Sequence, residues 1–245
     1  MSLFKPVDQH TRPGQSGQAY PAIRPADTQE VEQFASTFNR PPGKVCLLYG
    51  DDSVFLVSLL MAAQAMARGA SLAVVDGGNQ FNVHLLSHFA RERGINPDDF
   101  LQRIFISRGF TCYQMEAAIT QKLPSFLQKI ESGSALIFGL LDTFYDEQAP
   151  LREVQQILGR LFVTFRELKL NGVSLLLTCF DRTIEPKERN QLFAVLKQGM
   201  DRVYRLRTDE SGNPRLVPEH HPTLIPSGRE KRHGPHRADI HRPHR

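Results

Sequence analysis

The sequence predicts an α/β domain built on a mainly parallel β-sheet with helices on both faces and an antiparallel hairpin at its C-terminal end. Three observations lead there. Short runs that are apolar throughout recur along the chain, as in Leu72–Val75, Ala135–Leu141 and Val173–Cys179. Strands of that kind are buried on both faces, the situation of a parallel sheet. Each run is followed by a segment with apolar residues at helical spacing. Near the end, Arg202–Arg207 and Pro214–Val217 flank the turn-forming run Glu210-Ser211-Gly212-Asn213.

The elements follow in order. Residues 1–28 are polar, carry Pro6, Pro13, Pro21 and Pro25, and predict a loose arm. A short helix over Glu30–Phe38 stops at Arg40-Pro41-Pro42-Gly43. Together these make residues 1–40 an N-terminal arm, ahead of a core over residues 41–218. Val45–Tyr49 is the first core strand, Gly50-Asp51-Asp52-Ser53 a turn, and Val54–Arg68 a helix closed by Gly69. Leu72–Val75 ends in the tight turn Asp76-Gly77-Gly78-Asn79. Val83–Arg93 is helical, with Leu85, Leu86, Phe89 and Ala90 on one face. Arg103–Ser107 is a strand. Two helices, Cys112–Lys122 and Ser125–Glu131, are separated or kinked at Pro124. After the strand Ala135–Leu141 comes the longest helix, Leu151–Lys169. Its apolar stripe runs from Leu151 through Ile157, Leu161 and Phe165 to Leu168. Val173–Cys179 is the next strand, and Pro186–Gly199 a helix with proline in its first turn.

Composition narrows the function classes. Of 245 residues, 40% are hydrophobic and 23% charged, the range of a globular domain. The formal net charge is +4, and six Arg and Lys residues against Glu230 and Asp239 in Ser227–Arg245 account for all of it. The body is therefore not a globally basic nucleic-acid binder. Residues 219–245 form a His/Arg/Pro-rich tail, expected to be disordered and to attract nucleic acid or an acidic partner weakly. His233, His236, His241 and His244 offer imidazoles there without a fold to preorganise them for metal. Cys46, Cys112 and Cys179 lie in or beside apolar runs, with no CxxC pattern. They predict buried thiols, neither a disulfide framework nor a zinc site. No run reaches membrane-spanning length and no apolar leader opens the chain, so a cytoplasmic protein without membrane contact is expected.

The order of elements, and above all the stretch VVDGGNQFNVHLLSHFARERGINPDDFLQRIFISRGFTCYQMEAAI over residues 74–119, resembles the ATPase core of RecA-type recombinases, on the archaeal and eukaryotic branch. Asp76, Phe81, Arg108 and Phe110 fall at positions that family marks. The similarity extends more weakly from about Val45 to about Val217 and implies a P-loop NTPase fold. A working P-loop needs G-x-x-x-x-G-K-[ST], whose amides, lysine and hydroxyl hold phosphates and Mg²⁺. The matching turn reads Gly50-Asp51-Asp52-Ser53-Val54-Phe55-Leu56-Val57. Phe55 stands at the second glycine, Leu56 at the lysine and Val57 at the hydroxyl. Asp51, Asp52 or Ser53 can cap the helix internally and repel a triphosphate. The family's catalytic carboxylate maps to Gly78 and its metal-supporting aspartate to Gly139, with Asp142, Asp146 and Glu147 just beyond. Asp76 has a turn or cap role beside any catalytic one.

The resemblance thus implies a RecA-like protein without catalytic residues or cofactor. Its expected role is a binding or scaffold partner in DNA recombination or repair, meeting a RecA-like or other repair protein, or further copies of itself. Two other readings stay open. One is an NTPase with an unorthodox phosphate site using Asp142, Asp146 or Glu147. The other is a DNA-binding protein acting through Arg182, Lys187 and Arg189, in the loop that the family uses to touch DNA, and through the tail. Asp181, Glu185 and Glu188 offset those cations in number, which equally suits a solvated loop. Arg205 and Arg207 share a face of their strand, as a charged sheet edge or a binding stripe. His84 and His88 lie four apart on a helix with no HExxH context and are expected at its surface.

Overall fold

The structure is a computed structural model and describes residues 4–7, 38, 40–67, 69–210 and 214–219. Its strands are β1 (Lys5–Pro6), β2 (Val45–Gly50), β3 (Leu72–Asp76), β4 (Ile104–Arg108), β5 (Ser134–Phe138), β6 (Ser174–Phe180), β7 (Arg202–Thr208) and β8 (Pro214–Glu219). They form one sheet in the order β1-β4-β3-β5-β6-β2-β7-β8. The six inner strands are mutually parallel. The two outer strands, β1 on β4 and β8 on β7, are antiparallel. The expected α/β class and terminal hairpin are both present.

Helices cover both faces because the inner strands are apolar on both. On one face lie α1 (Ser53–Met66), α2 (Val83–Glu92) and the short α3 (Pro97–Leu101). They pack on Cys46, Leu48, Val74, Leu136 and Leu176. On the other lie α4 (Cys112–Glu116), α5 (Leu123–Lys129), α6 (Leu140–Phe144), α7 (Leu151–Leu170) and α8 (Gln191–Gln198). This layer packs on Leu47, Val75, Ile137, Leu175 and Val203. The alternation of those numbers along each strand is the period-two geometry of a pleated sheet. α7 buries Val154, Ile157, Leu158, Leu161, Phe165 and Leu168 along the predicted stripe. Each such side chain contributes roughly 1.5–3 kcal/mol. α1 is buried on nearly every side, as an almost wholly apolar helix must be.

Four local expectations change. Residues 4–7 are a bound strand where the arm was expected to be loose. Lys5 and Pro6 pair with Ile106 and Phe105, the Val7 amide donates to the Ile104 carbonyl at 2.9 Å, and Phe4 stacks on Phe126 at 4.5 Å. The helices either side of Pro124 run on without a gap, joined by a π-turn over Ala117–Lys122. A wider turn of this kind absorbs a proline that has no amide to donate. The strand expected to reach Leu141 ends at Phe138, because Gly139 takes a left-handed φ of 58° and starts α6. The helix expected from Pro186 begins as a 3₁₀ turn over Lys187–Asn190. The expected helix over residues 30–38, apart from Phe38, and the tail beyond Glu219 lie outside the described residues. Among the described residues no helix is long and apolar enough to cross a membrane.

Topology sets where a site can form. From β3 the chain moves outward to β4, and from β5 it moves the opposite way to β6. In open α/β sheets the crevice outside the carboxyl ends of strands at such a divergence is the usual ligand position. Here the turns after β3 and β5 border it. At the far edge of the sheet, Phe4→Ala is expected to lower the unfolding free energy by about 3 kcal/mol, as for other buried aromatic truncations. Denaturant titration measures it; an unchanged midpoint would mean that the first strand is not part of the cooperative fold.

Candidate functional site

Three turns meet at the carboxyl ends of the inner strands, and each corresponds to a position singled out in the sequence. The first joins β2 to α1. Only Asp51 and Asp52 separate the strand from the helix. An Asp51 carboxylate oxygen accepts from the Ser53 amide at 2.9 Å and from the Ser53 hydroxyl. The Asp51 carbonyl accepts from the Val54 amide at 3.0 Å. Asp52 sits at the cap position with no side-chain capping bond. Internal capping therefore falls to Asp51. Amides that a helix start would offer to an anion are partly satisfied from within.

Phe55 lies inside the helix, where a phosphate loop would still be turning. Its ring is 4% exposed and stands edge-on to Phe138, at 5.5 Å, and to Phe180, at 4.8 Å. Those two residues end β5 and β6, so the three rings seal the carboxyl ends of adjacent strands. Leu56 and Val57 are also buried. On the other side of the junction, a Cβ at Gly50 would stand 2.8 Å from the Leu206 carbonyl oxygen, which leaves no room for a larger residue.

The second and third turns, after β3 and β5, close on each other. A Cβ built on Gly139 would meet the Gly78 nitrogen at 2.6 Å and an Asp142 carboxylate oxygen at 2.7 Å. One built on Gly78 would meet the same Asp142 oxygen at 2.9 Å. The Gly77 amide donates to the Phe138 carbonyl at 2.8 Å, tying the turns together. Neither Gly78 nor Gly139 can take a side chain without moving its neighbour.

Four charged groups surround this closure. Asp76 accepts from the amides of Gln80, at 2.9 Å, and Phe81, at 3.2 Å, so it organises its own turn. Arg108 approaches it to 3.7 Å, an ion pair beyond hydrogen-bond reach. Burial pushes the Asp76 carboxyl above its ordinary range, against the lowering effect of those amides and of Arg108. Burial likewise raises Asp142, with Arg182 opposing and Asp76 reinforcing the shift. Arg182 pairs with Asp142 and lies over the Phe180 ring at 5.0 Å. Its neighbour Asp181 pairs with Arg205. The loop after β6 is thus pinned at two points.

The basic residues proposed to contact nucleic acid are not gathered into one patch. Arg189 is 4% exposed and donates to the carbonyls of Phe144, at 2.7 Å, and Ala149. It clamps the α6–α7 connection and is not available at the surface. Arg182 is taken up by Asp142, whereas Lys187 is exposed. Arg205 is half-buried over the Tyr49 ring, and Arg202 and Arg207 are exposed. The strand bearing them is internal, because β8 forms the edge that had been assigned to it. Asp146 accepts from the Gln148 amide at 3.0 Å, and Glu147 is exposed. Among the described residues no three His, Cys, Asp or Glu side chains gather to hold a metal ion. His84 and His88 are on the surface of α2 as expected, and His88 lies 3.1 Å from Glu92. All three cysteines are free and buried, with Cys46 and Cys179 pushed up to about 12 by burial.

Sequence reasoning found the three turns but missed what fills them. The signals were present in part: Phe138 directly precedes Gly139, and Phe180 directly follows the Val173–Cys179 run. Their convergence on Phe55 depends on strand order, which local sequence does not carry. Fold and site together define an α/β domain with a mostly parallel mixed sheet whose switch-point crevice is closed by its own glycine turns. No protein-family model matches the chain, and no curated protein matches it.

Two outcomes test this geometry. Gly139→Ala is expected to lower stability by about 2–4 kcal/mol, from the left-handed backbone and the overpacking against Gly78. Gly133→Ala, whose Cβ would meet nothing within 4 Å, should stay within ~0.5 kcal/mol of the parent in the same denaturation experiment. The second outcome concerns pH. Asp142 holds its proton in the folded chain at pH values where the unfolded chain has released it. Its contribution is full below the ordinary value of 3.8 and is lost as pH rises through the raised one. Asp142→Asn should therefore flatten the decline of stability with pH above 3.8, measured by denaturant titration at a series of pH values.

Proposed function

We propose that this chain is a RecA-like domain that works without nucleotide chemistry, as a binding or scaffold partner in DNA recombination or repair. The observation that carries the reading is Phe55. It lies within α1 and packs between Phe138 and Phe180 at the junction that the sequence resemblance matches to a phosphate-binding loop. A loop that wraps phosphates needs several turning residues with free amides. This junction has two, and Asp51 accepts the Ser53 amide. Asp51 and Asp52 add negative charge where a triphosphate would approach, which opposes binding electrostatically.

The other two chemical positions support the same reading. Gly78 and Gly139 stand where the resemblance puts the catalytic carboxylate and the metal-supporting aspartate; the Gly78 backbone leaves no room for a side chain at residue 139, and one at residue 78 would press on the Asp142 carboxylate. For an NTPase with an unorthodox site, Asp142 would have to leave Arg182 and Asp146 its turn. For direct DNA binding through the loop after β6, Arg189 would have to leave the interior. Both readings therefore have less support than a role through protein contacts. The expected partner is a RecA-like recombinase or another repair protein.

Calorimetry of the full chain with Mg²⁺ and ATP at about 1 mM should give no binding heat, placing any dissociation constant above the millimolar range. Added to an active RecA-type recombinase, the chain should alter strand exchange in the presence of ATP. Measurable ATP hydrolysis by the purified chain, reduced in an Asp142→Ala variant, would overturn the proposal.

A further inference from the structure

The two helical layers differ in what they leave uncovered. Among the described residues the exposed large hydrophobic side chains are Phe110, Tyr113, Val163, Leu170, Val195 and Val217. Phe110 and Tyr113 are at the start of α4, Val163 and Leu170 on α7, and Val195 on α8, all in one layer. Val217 faces the same way, because it is in register with Arg205, whose guanidinium lies over Tyr49 on that face. None belongs to the layer formed by α1, α2 and α3. The exposed apolar side chains are thus confined to one of the two faces, and two of them, Val163 and Leu170, share one helix.

The outer ridge of α7 says what fits it. Arg152, Gln156, Gly159, Val163, Arg166 and Leu170 are all exposed and follow one another at alternating spacings of four and three. The spacing is that of a seam along which one helix can lie on another, with Gly159, Val163 and Leu170 its apolar or small positions and Arg152, Gln156 and Arg166 its polar ones. The ridge is also symmetric in sequence about Leu161: Gly159 and Val163, Gln156 and Arg166, and Arg152 and Leu170 are equally far from it. Glycine is the poorest helix former after proline, yet a Cβ at Gly159 would meet nothing within 4 Å among the described residues. The gap is a place for another surface. Arg152 makes no ion pair with a described residue, and neither does Glu167 near the other end of the helix.

We propose that this face pairs with a second copy of the chain, the two α7 helices lying antiparallel about a two-fold axis level with Leu161. Val163 of each copy then fills the gap at Gly159 of the other. Arg152 of each meets the C-terminal turn of the opposite helix, where Glu167 and the outward carbonyl groups carry negative charge. Leu170 of each is brought toward the N-terminal end of the opposite α7, which packs against α4, the helix carrying the exposed Tyr113. The pairing needs no nucleotide and no other protein, so it stands whether or not the function proposed above is correct.

Sedimentation of the full chain at about 50 μM should give a dimer, as a dissociation constant in the micromolar range or below requires. Val163→Glu should yield a monomer with an unchanged far-ultraviolet circular dichroism spectrum. Arg152→Glu and Glu167→Arg should each weaken dimerisation by about tenfold, and the double exchange should restore it. The charge exchange at exposed positions also decides the matter should Val163→Glu fail to fold. A monomer at every concentration tested, or a dimer indifferent to Val163→Glu, overturns the proposal. A double exchange that fails to recover association overturns the antiparallel pairing.

Discussion

The packing of Phe55 between Phe138 and Phe180 is the contact on which the rest of this architecture depends. It anchors the first turns of α1, which starts three residues after Gly50. It joins the first core helix to the ends of β5 and β6, the two central strands of the sheet. Aromatic pairs in this edge-on geometry add roughly 0.5–1.5 kcal/mol each beyond the area they bury. A helix that would otherwise end over an open crevice is instead continuous with the core beneath it.

The electrostatics of the crevice follow from that closure. Asp76 and Asp142 are carboxylates in a place that water reaches poorly, and burial raises both. Neither is left to itself. Asp76 is bound by two amides of its own turn, and Asp142 by Arg182, which lies over the Phe180 ring. Buried charge arranged in this way does little for net stability but specifies one arrangement of the loops. The loop after β6 is fixed to the α6 turn through Arg182 and to β7 through Asp181 and Arg205. Three connections that could move independently are thereby coupled.

How much of this could be read from sequence depends on whether the cause was local. The inner strands and α1, α2 and α7 were legible, because apolar periodicity and glycine punctuation act over a few residues. So were the exposed histidines of α2. What escaped was set by distant contacts. Phe4–Val7 looked like a loose arm, and only the free edge of β4 makes it a strand. Arg189 sat among charges and looked exposed, yet the carbonyls of Phe144 and Ala149 draw it inward. The end of β5 at Phe138 was hidden because the apolar run continues through Leu141, and only the left-handed backbone of Gly139 interrupts it. The contact of Gly78 with Gly139 depends on β3 and β5 being neighbours, which no window of sequence contains.

That glycine contact also bears on what mutation could make of this chain. A carboxylate introduced at residue 78 or 139 would not simply appear in an otherwise ready crevice. At residue 139 it would first push the facing Gly78 turn aside, and at residue 78 it would displace the Asp142 carboxylate that pairs with Arg182. A lysine placed at residue 56 would enter a buried helix flank in place of a loop. The closed crevice thus constrains divergence: side chains can change freely at the surface, whereas a change at residue 139 has to bring the opposite turn with it.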